Sequence, residues 1–344
     1  MFKRFARSVN YERAAIAVTG LCVAALYLMV AIDRSATPAN ASVLPNGTMQ
    51  LSALPGAGPP PAVDPVAKPT MIRTVGSAKK ITEMFESIGY RLDVVRADGW
   101  VPRVFLASLP NDLREIRKVG TRKMVFIKTA LPLILHVNEL IMQDRSRIES
   151  LWGKSRKGAA PSAAEAAWLD DKAAEFGLGK FSFRALLARV DVIPPSLALA
   201  QSAEESGWGT SRFASEGNAL FGQRVWRSKD KGKGGKGMVP KNRGEGETFR
   251  VKAFDHLIDG VKSYARNLNT HRAYRKFRRA RANLRKNNRR LSGYELVGSL
   301  TAYSERGEAY VRTIRSIMRV NGFQVFDGVR LGETLSVGTI GPDA

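Results

Sequence analysis

Apolar positions recur at helical spacing along most of the chain. Within 78–88, Ile81, Met84, Phe85 and Ile88 fall three and four residues apart, which is one face of a helix. Residues 101–116 carry enough apolar positions for a second short helix. The longest pattern covers 123–151, through Val125, Phe126, Leu131, Leu133, Leu135, Val137, Leu140, Ile141 and Ile148, and Pro132 inside it predicts a kink or a break. His136 lies in this apolar stretch and reads as a buried structural histidine. Residues 163–176 and 181–189 predict two further helices. Another is expected from Pro194-Pro195 to Glu205, because the fixed proline φ is preorganised for a first turn and Gly207 can stop the helix in the left-handed conformation. A glycine-rich excursion near 222–250 interrupts this mainly helical pattern.

Two N-terminal stretches depart from it. Residues 14–32 hold no charge over nineteen positions, about 28 Å of helix, nearly the roughly 30 Å of a bilayer core. Lys3, Arg4, Arg7 and Arg13 precede them, so the N-terminus is expected to stay in the cytoplasm and the rest of the chain to lie outside. The alternative is a cleaved signal peptide, for which Ala39-Asn40-Ala41 offers the small-x-small site. From Ala36 to about Thr70 the chain is rich in Pro, Ala, Gly and Ser and has little to bury, as expected of an extended linker.

Composition narrows the options. With 44% hydrophobic and 25% charged residues in 344, the chain can bury a core, and wholesale disorder is excluded. The single cysteine, Cys22, excludes an internal disulfide, a Cys-x-x-Cys redox site and a thiolate zinc cage. Only His136, His256 and His271 are present, widely spaced, so no metal site is expected. The Gly-Lys run at 232–237 lacks the strand before it and the Ser or Thr after Lys that a phosphate-binding loop requires. Net charge is +24, and residues 222–290 alone carry 22 Lys and Arg against 5 Asp and Glu, which calls for an anionic partner. Taken alone, the basic helix from Arg272 would suit nucleic acid. With the head outside the cytoplasm, no nucleic acid is expected, and an acidic wall polymer fits better.

The candidate chemistry centres on the helix that ends near Glu205. Gln201 and Glu205 lie four residues apart on one face. A carboxyl group in the last turn sits at the negative end of the helix dipole, where ionisation is opposed, and apolar neighbours such as Trp208 would oppose it further. A carboxyl group kept protonated near neutral pH is what a glycosidase general acid must be. Glu204 points about 100° away and reads as solvated.

Two motifs lie in order around this helix: Ala200-Gln201-Ser202-Ala203-Glu204-Glu205-Ser206-Gly207-Trp208-Gly209, then Gly217-Asn218-Ala219-Leu220-Phe221-Gly222. Together they resemble the glucosaminidase domain of glycoside hydrolase family 73. Asn267-Leu268-Asn269-Thr270-His271, Tyr303-Ser304-Glu305-Arg306-Gly307 and the segment 126–144 are similar to the Bax branch of that family. The resemblance implies a lysozyme-like helical domain with a small β-hairpin; with the apolar and Pro-rich stretches before it, the fold expected is mainly α, preceded by an N-terminal transmembrane helix, a linker and a helical segment. The implied domains are a tip and anchor (1–35), a linker (36–76), a helical region (77–160), the glucosaminidase domain (161–325) and a tail (326–344). It implies a hydrolase of peptidoglycan glycan strands that cleaves the β-1,4 bond after N-acetylglucosamine and needs no cofactor. The implied placement is the bacterial inner membrane, with the catalytic domain in the periplasm.

Residue by residue, the resemblance makes Glu205 the catalytic acid and places Tyr303 near the reacting sugar, with Tyr310 as an alternative. Gln201, Trp208, Asn218 and Phe221 become substrate-side residues. Ala219 departs from the usual second Asn, so any polar contact from that position is lost. A second carboxylate is expected in the hairpin after the second motif, where Glu247 and Glu245 are the candidates and Asp230 is the other acid. The substrate's own acetamido group is the alternative to that carboxylate. A glycan-binding scaffold and a lytic, anhydro-forming cleavage are the competing readings.

Overall fold

The computed structural model describes residues 71–72, 76–225, 236–241, 243–244 and 246–332. The expected anchor, the linker to residue 70, Asp230 and Glu245 lie outside the described residues.

The described part is mainly helical. In chain order it contains β1 (Met71–Ile72), α1 (Ala78–Ser87), α2 (Leu92–Asp98), β2 (Trp100–Val101), β3 (Phe105–Leu106) and the long α3 (Val119–Arg156). Then come α4 (Ala163–Glu175), α5 (Phe183–Arg189), α6 (Pro195–Ser206) and α7 (Arg212–Gly217). A small sheet of β4 (Arg224–Val225), β5 (Gly237–Met238) and β6 (Arg250–Lys252) follows. The remainder is α8 (Leu257–Thr270), α9 (Arg275–Lys286), α10 (Gly293–Leu296), α11 (Glu308–Val320) and β7 (Arg330–Leu331).

The core forms around α6. Residues 195–203 and Ser206 are all buried, so this helix has no solvent face for most of its length. Its start is held by Asp327, whose carboxylate accepts from the Ser196 N–H at 2.9 Å, the Ser196 hydroxyl at 2.8 Å and the Gly293 N–H at 2.9 Å. A carboxylate there also faces the positive end of the helix dipole. Its end is made as the sequence predicts, by Gly207 at φ 57°. One buried cluster runs from Ile81 to Leu331 and unites residues on both sides of 160. Phe326, Val329 and Leu331, expected in a tail, belong to it.

Three local expectations are corrected. Residues 101–116 do not form a helix: Val101 pairs in parallel with Leu331, and Phe105 and Leu106 pair with β1. Pro102 and Pro110 lack the donors a helix needs, and the apolar residues between them bury in a distant core instead. Pro132 does not break α3, which runs unbroken over 38 residues. Every residue from Val125 to Val137 is buried, and that burial outweighs the roughly 3 kcal/mol a mid-helix proline costs. α3 is long and apolar enough to cross a bilayer, but its apolar stretch is packed inside the protein. The expected hairpin is a three-stranded antiparallel sheet ordered β4-β6-β5, with Arg224 opposite Val251 and Met238 opposite the same residue on the other side. His136 is buried beside Phe105, as its apolar surroundings predict.

Candidate active site

α6 carries two polar side chains on one face into the apolar interior, and their partners come from two later helices. Tyr264 of α8 donates its hydroxyl to Gln201 Oε1 at 2.6 Å. Gln201 Nε2 donates to the Tyr310 hydroxyl of α11 at 2.8 Å. Tyr310 in turn donates to Glu205 Oε1 at 3.0 Å. Gln201 is fully buried, and both ends of its amide are used in this chain, so a residue that would otherwise be costly inside is satisfied.

Aromatic rings wall the group. Phe221 stacks on Tyr264 with centroids 3.9 Å apart and planes 9° from parallel. The Phe221 carbonyl accepts from the Tyr303 hydroxyl at 3.3 Å. Tyr303 stacks on Tyr310 at 5.5 Å and tilts against Tyr274 at 5.8 Å. Gly222 closes the other side: a Cβ there would stand 3.1 Å from Glu205 Oε2, and its φ of 58° is one that side chains resist.

Electrostatics follow from this packing. Burial pushes the Glu205 carboxyl above its usual range, the Tyr310 hydrogen bond works against that, the neighbouring Glu204 adds to it and Arg306 subtracts. Glu204 is itself tied to Arg306 at 2.7 Å. Burial also raises Tyr264, Tyr274, Tyr303 and Tyr310, and the charge of Glu205 adds to each, so all four keep their protons. The result is one carboxyl group disposed to hold a proton among neutral donors.

Not every residue expected at this site is there. Trp208, itself at φ 58° directly after the left-handed Gly207, packs edge-on against Phe126 and Phe323, with Lys123 Nζ 4.5 Å from its ring centroid. None of those partners belongs to the Glu205 group; Trp208 is partly buried and packs against the core. Asn218, at φ 50°, donates Nδ2 to the carbonyls of Phe254 and Asp255 at 3.2 and 3.1 Å, fastening α7 to the chain after β6. Phe221 does stand at the group, as buried packing stacked on Tyr264. Glu247 is exposed in the loop between β5 and β6, where it accepts from the Gly244 N–H at 3.0 Å. Tyr264 and Tyr274 were not singled out from sequence; the only pointer was that they flank the Asn267–His271 motif. Two cavities, of about 710 and 580 Å³, lie apart from the group and are lined by none of its members.

Comparison with known proteins agrees with the motifs. The glucosaminidase family model, described as mannosyl-glycoprotein endo-beta-N-acetylglucosaminidase, matches residues 181–322. That span contains Glu205 and every residue of the network around it. Protein bax of Escherichia coli (strain K12) is 35% identical over 210 residues, which cover 59% of this chain and 71% of that protein. No solved structure matches the chain.

Proposed function

This chain is a member of the Bax-like glucosaminidase-domain family, and on that premise we propose that it hydrolyses peptidoglycan at the β-1,4 bond after N-acetylglucosamine, with Glu205 as the general acid. The observation that carries this reading is a half-buried carboxyl group at the end of α6, raised by burial and held by a single tyrosine hydroxyl.

The chemistry follows from the direction of the hydrogen bonds. Tyr310 donates to Oε1, so the acidic proton resides on Oε2. Glu205 delivers it to the glycosidic oxygen as the bond to the anomeric carbon breaks, and the leaving sugar departs as an alcohol. The Glu205 carboxylate left behind then takes a proton from the attacking water. Among the described residues, the carboxylate that acts on Glu205 is Glu204, and Arg306 already holds it. The substrate's 2-acetamido oxygen therefore supports the electron-poor anomeric carbon in this reading, and water opens that intermediate. The chain works from the inner membrane through residues 14–32, with the hydrolase facing the wall.

The test is digestion of purified sacculi followed by mass spectrometry of the products. Wild type releases muropeptides with N-acetylglucosamine reducing ends, and Glu205→Gln, still folded, releases almost none; equal release by both would overturn the reading. Because Arg306 already holds Glu204, the carboxylate next to Glu205, a second reading is that the chain grips glycan without cutting it or cuts lytically. Binding without new reducing ends supports the first form of that reading, and anhydro-sugar products support the second.

A further inference from the structure

Tyr310 donates to Glu205, and that direction is not a property of Tyr310 alone, because a tyrosine hydroxyl has one proton and can equally accept. The groups that settle it are Gln201 and Tyr264, which reach Glu205 through Tyr310. Gln201, expected on the substrate side, has no exposed surface and so does not meet a glycan. Tyr264 and Tyr310 are buried as well, so a hydrogen bond lost in this series is not replaced by bulk water.

Each link constrains the next. The Tyr264 hydroxyl donates to Gln201 Oε1 at 2.6 Å, which leaves Nε2 as the end of the amide that faces Tyr310. Nε2 has only protons to offer, so at 2.8 Å the Tyr310 oxygen must accept from it. The one Tyr310 proton then goes to Glu205 Oε1, 3.0 Å away. Turning the amide over would break this order at both ends. Oε1 would draw the Tyr310 proton away from Glu205, and the Tyr264 proton would face Nε2, which accepts nothing. Burial and the charge of Glu205 raise the Tyr310 hydroxyl, and the Gln201 bond works against them, which makes Tyr310 the better donor.

We propose that Gln201 and Tyr264 are positioning residues of the reaction: Tyr264 fixes which way the Gln201 amide faces, and Gln201 fixes the Tyr310 proton on Glu205 Oε1. The inference rests on Glu205 being the general acid and adds to that reading. Oε2, the oxygen beside Gly222, is then the one left to carry the acidic proton. The carboxylate formed when this proton leaves already has its donor in place, so no side chain of the series has to rotate as the charge develops.

Infrared titration of the full chain in detergent tests this without turnover, by following the protonated-carboxyl band that each variant loses when Glu205→Gln is added to it. Tyr310→Phe should move the titration of that band to higher pH. Gln201→Met, close in shape but with no N–H, should move it the same way. Tyr264→Phe, which keeps a ring against Phe221, should do so less far. In Gln201→Met/Tyr310→Phe the titration should lie no higher than in Tyr310→Phe alone, because Gln201 acts through Tyr310; a merely structural Gln201 would add a shift of its own. Turnover of sacculi should fall about tenfold in Gln201→Met, the worth of one hydrogen bond to a charged group. Circular dichroism checks that each variant folds, and if Gln201→Met does not, Tyr264→Phe carries the test. An unmoved titration in the folded variants, a shift to lower pH, or an added shift in the double variant overturns the inference. If wild type digests no sacculi, the hydrolase reading fails and the titration still reports the positioning; if sacculi are digested and the titration ignores Gln201 and Tyr264, the positioning fails alone.

Discussion

Glu205 and Asp191 are both carboxylic acids inside the protein, and they behave in opposite ways. Asp191 is the more deeply buried, at 2% exposed. Burial pushes its carboxyl up, yet Arg281, Arg285 and Arg145 outweigh it and the net displacement is downward. Arg285 reaches it at 2.8 Å, while Arg281 and Arg145 lie at 3.6 Å. Arg281 also donates to the carbonyls of Asp191, Val192 and Ala188, so α9 locks the end of α5 to the start of the α6 segment. Glu205 is less buried, its hydrogen-bond partner is the neutral Tyr310, and Arg306, which acts on it from nearby, is already paired with Glu204. Burial raises both carboxyls, and only Asp191 has cations close enough to reverse the direction. One carboxyl is pushed down by its arginines and ties helices together, and the other is pushed up by burial, the direction that the proposed acid requires.

Removing each carboxylate in turn is the sharpest way to break that contrast. Glu205→Gln should cut turnover on sacculi by about 10²–10⁴-fold, the usual worth of a general acid. It should not destabilise the fold. A raised folded pKa contributes stability below the unfolded value, about 4.3, that is lost as pH rises through the folded one. Thermal unfolding of Glu205→Gln should therefore match wild type near pH 4 and exceed it increasingly at higher pH. Asp191→Asn should do the reverse: it leaves buried arginines without their counter-charge and should cost about 3–5 kcal/mol, read as a lower urea midpoint. Its lowered pKa makes the wild-type contribution present above about pH 4 and lost as pH falls further, so the two chains should converge in acid.

Smaller changes sharpen the contrast rather than break it. Gly222→Ala places a methyl group against Glu205 Oε2 at an unfavourable φ, and about 1–3 kcal/mol of strain should appear in the urea midpoint together with lost turnover. Tyr310→Phe removes the one hydrogen bond that favours ionised Glu205, so the alkaline limb of the pH–rate profile should move to higher pH while turnover falls about tenfold. Glu247→Gln should change turnover less than about twofold and the urea midpoint by less than about 0.5 kcal/mol, because the side chain is exposed and bonded within its own loop. A larger loss of turnover would return the second catalytic role to the hairpin.

How much of this was legible beforehand differs by element. α6 could be read closely, since Pro194-Pro195, Gly207 and the apolar run between them are local signals and local physics settles them. α1, α4 and α5 were equally plain. Residues 101–116 misled because their apolar spacing suits a helix, whereas the partners that make them strands lie elsewhere: β7, whose residues pair with β2 across 230 positions, and β1. α9 was legible as a basic helix, but Arg278 and Arg281 turn inward, which no periodicity of charge could announce.

By itself the sequence determined a mainly helical protein, the helix that carries Gln201 and Glu205, and the family motifs around it, because these depend on spacing within a few turns of chain. Tertiary structure alone decided that Tyr264 and Tyr310, 63 and 109 residues from Gln201, would complete the acid's surroundings while Trp208 turned away into the core. A carboxyl group's proton affinity is set by what lies within a few ångströms of it, and those neighbours are chosen by packing between elements, not by the order of residues along the chain.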